Sequence, residues 1–198
     1  MPKQRITKEM VVEAAFELAR EGGMEKVMVK QIAAKLGCSV QPIYSYCANM
    51  EELKKDVLKR TADFFQEYVA EHMDMEDYFH SIGKSYLTLS KEEPHLFELY
   101  FLKKRPDCTA TSLEELYEQE CSPQVAQFLA DKYSITLEAA KKLHLNMVIY
   151  NTGISTMMIS SNFGISLEEL DQQLATIHEV FLEQARKEEE KNEKISSI

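Results

Sequence analysis

Apolar residues along this chain recur every three or four positions and almost nowhere in strict alternation. That is the period of a single helix face, so the pattern predicts an all-α protein of about nine helices. The first stripe is Val11, Ala14, Ala15, Leu18 and Ala19, in a helix that Thr7 caps and Gly22-Gly23 stops. A short helix over 29–36 turns Ile32, Ala33 and Leu36 inward, and Gly37-Cys38-Ser39 breaks it. Ser39 is then placed to cap a helix of two turns over 40–46, with Pro42 in the first turn, where a missing N–H matters little. Asn49 opens a long fourth helix to about His72, with Glu52 three residues on as a capping box. Further helices are expected over 76–90, 94–104, 112–133 (interrupted, if anywhere, at Ser122-Pro123), 136–162 and 166–191. The stretch "RPDCTAT" over 105–111 reads as a loop, and the charged tail "KEEEKNEKISSI" is expected to fray.

The spacing within the second and third helices is more specific than the period. Two helices that cross closely need a small residue at the crossing, and Ala33 supplies it. The turn needs a residue that tolerates left-handed backbone four positions later, and Gly37 supplies it. A buried aliphatic residue six positions further on, Ile43, seats the second helix, while Ile32, Leu36 and Cys38 fill the seam. The remaining face of the second helix is then free to enter a DNA major groove. A packed helix pair with no role in DNA binding satisfies much of the same pattern.

Charge sharpens the choice. The net charge of −10 argues against nucleic acid until it is divided along the chain. Residues 1–60 hold 11 Lys/Arg and 8 Asp/Glu, whereas residues 61–198 hold 12 and 25. A mildly basic head on an acidic body leaves one end able to approach phosphates. No run of 18 apolar residues occurs and the first ten residues lack an apolar signal core, so no membrane span and a cytoplasmic location are expected. The cysteines at 38, 47, 108 and 121 form no CxxC or zinc spacing, and read as four free thiols of a reducing compartment. The five His are scattered, and no Gly-rich phosphate loop or nucleophile–base set is present. Neither an enzyme, a metal site nor a cofactor is expected.

"AAFELAREGG", "VKQIAAKLGCS", "IYSY" and "NMEEL" follow one another in an order and spacing that resembles the DNA-binding head of the TetR family of bacterial transcriptional regulators. The resemblance spans residue 8 to about 55. It implies a three-helix helix-turn-helix domain over 1–48 and a helical ligand-binding and dimerisation domain over 49–198. Three positions depart from the family. Met28 stands where a Ser or Thr usually caps the second helix, Tyr46-Cys47 replaces a His-Phe pair, and Met50 replaces a Lys. Together these changes remove some expected phosphate contacts, for which Lys30, Lys54, Lys55 and the N–H groups of helix starts can compensate.

Within the head, Val40 and Gln41 open the recognition helix and are the candidates for base edges. Gln pairs bidentately with adenine, and Val meets a thymine methyl. Ser39 and Pro42 lie at the same helix start, Tyr44 and Tyr46 offer hydroxyls to phosphates, and Ser45 suits either role. Lys3, Arg5 and Lys8 read as a basic arm or equally as a disordered leader. One recognition helix reads few base pairs, so two heads on a near-palindromic operator are required.

The last two helices carry apolar stripes, Leu143, Met147, Tyr150, Ile154 and Met157 on one and Leu167, Leu170, Leu174, Ile177 and Phe181 on the other. Such stripes usually mean core. The resemblance favours a four-helix interface with a second copy, built from Leu143, Ile154, Met157, Leu170, Leu174, Ile177 and Phe181. Gly153 in mid-helix costs about 1 kcal/mol against Ala, which close helix approach would explain. The resemblance also implies a pocket for an apolar or aromatic effector, with Phe64, Tyr68, Tyr86, Phe97, Tyr100, Phe101, Tyr117, Met147, Tyr150 and Asn151 as candidate lining. Asn151 stands out because a buried amide needs a partner. The expected function is a small-molecule-responsive repressor, homodimeric on duplex DNA; the alternative is a head that binds a protein partner.

Overall fold

The computed structural model of the protein describes residues 6–46, 49–103, 108–161 and 164–196. Every regular element among them is helical: α1 (Lys8–Gly22), α2 (Val29–Lys35), α3 (Gln41–Tyr44), α4 (Met50–His72), α5 (Tyr78–Glu92), α6 (Pro94–Phe97), α7 (Leu113–Glu120), α8 (Pro123–Tyr133), α9 (Leu137–Ser160) and α10 (Leu167–Ser196). A 3-10 turn, Met24–Lys26, follows α1, and a π-helical stretch, Glu98–Leu102, follows α6. The all-α expectation holds. Ten α-helices replace nine because the chain does break before Pro123. No helix of the described residues is long and apolar enough to cross a membrane. Lys3, Arg5, Cys47 and the first three positions of the 105–111 loop lie outside the described residues.

Local chemistry sets most helix starts. Thr7 accepts from Met10 N at 3.3 Å, Asn49 from Glu52 N at 2.9 Å, Ser112 from Glu115 N at 3.2 Å, Thr136 from Ala139 N at 3.3 Å and Ser166 from Glu169 N at 3.1 Å. Each bond satisfies one of the N–H groups left over at a helix start. Two expectations fail. Ser39 does not cap α3: Val40 takes the N-cap position with helical backbone, and no side chain bonds there. Its carbonyl receives the N–H groups of Ile43 and Tyr44, and Pro42 brings no donor to satisfy. The helix is therefore one turn. The C-terminal tail does not end the last helix either, since α10 runs to Ser196. The segment is rich in Glu and Lys and holds no Gly or Pro, so helix propensity carries it.

The chain divides into two compact units, Met1–His72 with Leu89–Lys103, and Met73–Thr88 with Lys104–Ile198. The first is cored by Val11, Ala15, Phe16, Ala19, Ile32, Ile43, Leu53, Val57, Phe65, Leu96 and Phe97, all buried. Arg20 donates from Nε to both carboxylate oxygens of Glu93, at 2.9 and 2.8 Å, which pins α1 to the residue before α6. The predicted helix over 94–104 is instead one α turn followed by the wider π turns. This stretch brings Phe101 flat against Phe65 (5.8 Å between centroids) and Tyr100 edge-on to it (5.5 Å).

The second unit packs the first part of α5 with α7 to α10. Its largest core cluster holds Phe79, Leu129, Ala140, Leu143, Met147 and Leu182, and a second holds Leu87, Leu170 and Leu174. Gly83 sits where an added Cβ would lie 2.9 Å from Leu174 Cδ1, so α5 and α10 cross closely there. His80 clamps the same crossing, with Nδ1 2.6 Å from Asp77 Oδ2 and Nε2 2.8 Å from Asp171 Oδ1. Burial alone lowers the His80 pKa, but the bonds to the two carboxylates outweigh it and raise it.

Candidate nucleic-acid interface and effector cavity

The helix pair α2–α3 is built as its spacing predicts. Ala33 is buried at the crossing and Ile32 is fully enclosed. Gly37 has φ +63°, a left-handed conformation, and an added Cβ would meet nothing within 4 Å. Backbone conformation rather than crowding is therefore the reason for glycine at this place. Gly37 N donates to Ala34 O and Cys38 N to Ala33 O, closing the end of α2. Ile43 is 1% exposed and fixes the rotation of α3. Enclosing such a side chain contributes roughly 1.5–3 kcal/mol, ample to hold a single turn against a neighbour.

That rotation turns Val40, Gln41, Tyr44 and Ser45 outward. Val40 is 39% and Tyr44 59% exposed, so both reach solvent beside Gln41. Pro42 is half-buried and Ser39 exposed. Tyr46 does not share this face freely. Its hydroxyl donates to Ile6 O at 2.6 Å, so its one proton holds the segment before α1. Lys30 and Lys55 are exposed, while Lys54 pairs with Glu51 at 2.8 Å. Lys8 pairs with Asp56 at 2.9 Å and Lys35 with Glu21 at 2.8 Å, so these two are partly neutralised within the unit.

The effector candidates are divided between the two units. Phe64, Tyr68, Phe97, Tyr100 and Phe101 fall in the first unit, and Tyr86, Tyr117, Met147, Tyr150 and Asn151 in the second. Phe97 and Met147 are core residues of their own units. The second unit holds a cavity of about 860 Å³ between α7, the start of α9 and the latter half of α10. Its walls include Leu113, Leu137, Lys141, Leu143, Leu145 and Phe181, and Tyr117 is the one effector candidate among them. The apolar period of α9 hid this lining, because the wall is shared between three helices and begins at helix starts.

The inward face of α9 carries an unusual set of polar atoms. His144 Nδ1, Asn151 Oδ1 and Ser155 Oγ are buried with no protein hydrogen-bond partner. Each such group costs about 1–3 kcal/mol. Burial holds His144 neutral, with its pKa pushed down to about 4.

Residues 11–57 match the model of the bacterial regulatory proteins of the tetR family. That segment is thus of the TetR-family type. The fold is similar to that of a TetR-like transcriptional regulator from Rhodococcus sp. RHA1, with a TM-score of 0.60 and 14% identity over 90% of this chain and 96% of the other. A second transcriptional regulator from Rhodococcus sp. Rha1 gives 0.59 and 16% over 90% and 97%. A TetR-family member from Streptomyces coelicolor A3 gives 0.56 and 16% over 85% and 96%. No curated protein matches the sequence. The matched segment runs from the first core residue of α1, through the helix-turn-helix, to the first half of α4. The chain is thus a DNA-binding transcriptional regulator with an N-terminal helix-turn-helix.

The departures from the TetR pattern have visible consequences. Met28 occupies the N-cap of α2, makes no side-chain bond there and is 50% exposed. The stripe expected at the interface is largely covered within the single chain. Leu143, Leu170 and Leu174 are enclosed within the single chain, and Ile154, Ile177 and Phe181 pack half-buried against the same clusters. Only Met157 of that set is well exposed, at 55%. Among the described residues, the large apolar side chains that face outward on the two long helices are Leu137 at the start of α9, then Ile149, Met157 and Val180. Gly153 lies between Ile149 and Met157, one turn from each, with nothing of its own chain within 4 Å of an added Cβ. Their spacing of four residues was readable in the sequence, but the stronger stripe beside it obscured it.

Proposed function

We propose that this TetR-family regulator is a homodimeric repressor that binds a near-palindromic operator and releases it when a small molecule occupies the second unit. The outward face of α3, held by the buried Ile43, is the observation that carries this reading. Gln41 and Val40 read base edges, Tyr44 and Ser45 hold phosphates, and Lys30 and Lys55 add charge nearby. Tyr46 drops out as a donor to DNA because its proton is committed to Ile6 O. In function we take 1–48 as the head and 49–198 as the effector and dimer body, although α4 and residues 89–103 pack into one unit with the head.

Two copies meet through Ile149, Gly153 and Met157 of α9 and Val180 of α10. A glycine flanked by exposed apolar residues, with no neighbour in its own chain, suits the close approach of a helix from a second copy. The effector acts only if it binds one separation of the heads better than another. DNA accepts two recognition helices about 34–36 Å apart or a multiple of it. α5 offers a mechanical link, since it is one helix with residues in both units.

The test is a mobility-shift titration on the DNA upstream of the chain's own gene at increasing salt. Steep weakening with salt is the signature of phosphate contacts. Binding that ignores salt, or no binding, favours the alternative that the head holds a protein partner, for which the exposed Met28, Val40 and Tyr44 would form an apolar contact.

A further inference from the structure

Tyr117 stands between two features of the second unit. On one side lies the open cavity of about 860 Å³, with an apolar wall of Leu137, Leu143, Leu145 and Phe181 and a rim of Glu114, Glu138, Lys141 and Lys142, two charges of each sign. On the other lies His144, whose ring meets Tyr117 edge-on with centroids 5.8 Å apart. His144 is flanked in sequence by two cavity residues yet is only 8% exposed, and its Nδ1 has no protein partner. Asn151 follows seven residues later and Ser155 four after that, so all three lie on one face of α9. Ser155 is fully buried, and its Oγ is likewise unpartnered. Buried polar atoms are nearly always bonded, and three exceptions in one row on one helix leave acceptors that a single bound molecule can satisfy.

We propose that the cavity and this row form a single effector site, gated by Tyr117, for a neutral, elongated, largely apolar molecule with hydrogen-bond donors at its ends. The inference rests on the effector-responsive reading above. Neutrality follows from the row, which holds no charge to meet a charged ligand in the interior. His144 itself is kept uncharged by burial. At the mouth Lys142 is matched by Glu138 at 3.2 Å, and Lys141 lies over the Tyr117 ring at 5.6 Å. Donors are required because Asn151 Oδ1 accepts, imidazole Nδ1 accepts when Nε2 holds the proton, and Ser155 Oγ does either. Length follows from the helix, since seven residues separate His144 from Asn151 by about 10 Å. An apolar body suits the leucine walls and the Phe79 ring, 6.3 Å from His144. Displacing Tyr117 would also break its hydroxyl bond to Ser122 O (3.1 Å) at the start of α8, so occupancy is reported to a neighbouring helix.

The experiment uses the full chain with para,para′-biphenol, whose hydroxyls stand roughly two helical turns apart, and its dimethyl ether, which lacks donors. Calorimetry should show the diphenol binding roughly tenfold or more tighter than the ether. The preference should vanish in His144→Phe/Asn151→Leu, and Ser155→Ala should weaken it, with melting temperatures unchanged or raised. Equal binding of the two probes, no binding of either, or a preference surviving in the double variant overturns the proposal. So does a fall of melting temperature in both the double variant and Ser155→Ala, which would make the row structural. Operator release is measured alongside. A diphenol preference without release sinks the effector reading and leaves the site standing, whereas release by a compound indifferent to all three substitutions sinks the site alone.

Discussion

Arg20 and Glu93 meet as a fork on a carboxylate, although 73 residues separate them in sequence. The guanidinium also lies over the Phe64 ring at 5.5 Å, so one side chain joins α1, α4 and the start of α6 within the first unit. The bond to Glu93 raises the Arg20 pKa further, so the charge persists at any working pH. The Arg20 side chain is 41% and the Glu93 side chain 11% exposed, which puts the pair between the surface and buried limits. Glu93→Gln should therefore cost about 1–2 kcal/mol in urea unfolding after allowance for solvent screening, and less in high salt. No change would show the fork to be incidental.

Gly37 is the second test of local construction. Alanine there has room but the wrong φ, so Gly37→Ala should destabilise the protein by about 1–2 kcal/mol, and Gly37→Asn by less. Both can be read in thermal melts. If alanine were neutral, the left-handed turn would not be what sets α3 against α2.

Readout of the operator by α3 predicts a split between two kinds of substitution. Gln41→Ala should cost about 1–3 kcal/mol and relax preference at one base pair in each half-site. Lys55→Gln should weaken all sequences alike and reduce the salt slope by about one. A Gln41→Ala protein with unchanged preference would move base recognition elsewhere.

Association of two copies through α9 and α10 predicts that Ile149→Asp or Met157→Asp yields monomers in sedimentation velocity with unchanged helical circular dichroism. Leu174→Ala should instead cost about 2–5 kcal/mol of stability, because that side chain is core of the single chain. A dimer that survives both Asp substitutions would place the interface on another face.

Two histidines give stability a pH dependence of opposite sign. His144 has a folded pKa near 4 against an ordinary value near 6.5, so the unfolded chain takes up its proton first. Stability is lost as pH falls from about 6.5 towards 4, by up to about 3 kcal/mol. The half-buried His178, also lowered, adds to this trend. The folded pKa of His80 is raised, so its contribution is fully present below about 6.5 and is lost as pH rises through the folded value. Urea titrations across pH should show His144→Phe flattening the acid side and His80→Gln the alkaline side. Unaltered profiles would mean that neither imidazole titrates as its surroundings require.

Much of this architecture could be read from the chain alone because it is set within one or two turns. Thr7, Asn49, Ser112, Thr136 and Ser166 cap helices through bonds to residues three positions away. Gly37 and Pro42 act through their own backbone, and Ala33, Gly37 and Ile43 mark the head by spacing. Ser39 misled because a serine before a helix is eligible as a cap, while Val40 with its helical backbone already filled the place. Tertiary structure alone decided which apolar stripe is covered and by what. Leu143, Leu170 and Leu174 have the same period as an interface would, yet elements remote in sequence enclose them, while Ile149, Met157 and Val180 are left outside. The partner of Arg20, the two carboxylates on His80, the Tyr117 wall and the unpartnered row on α9 follow the same rule. Period names the face of a helix, but burial depends on what packs against that face, and for these residues that lies tens of positions away in the chain.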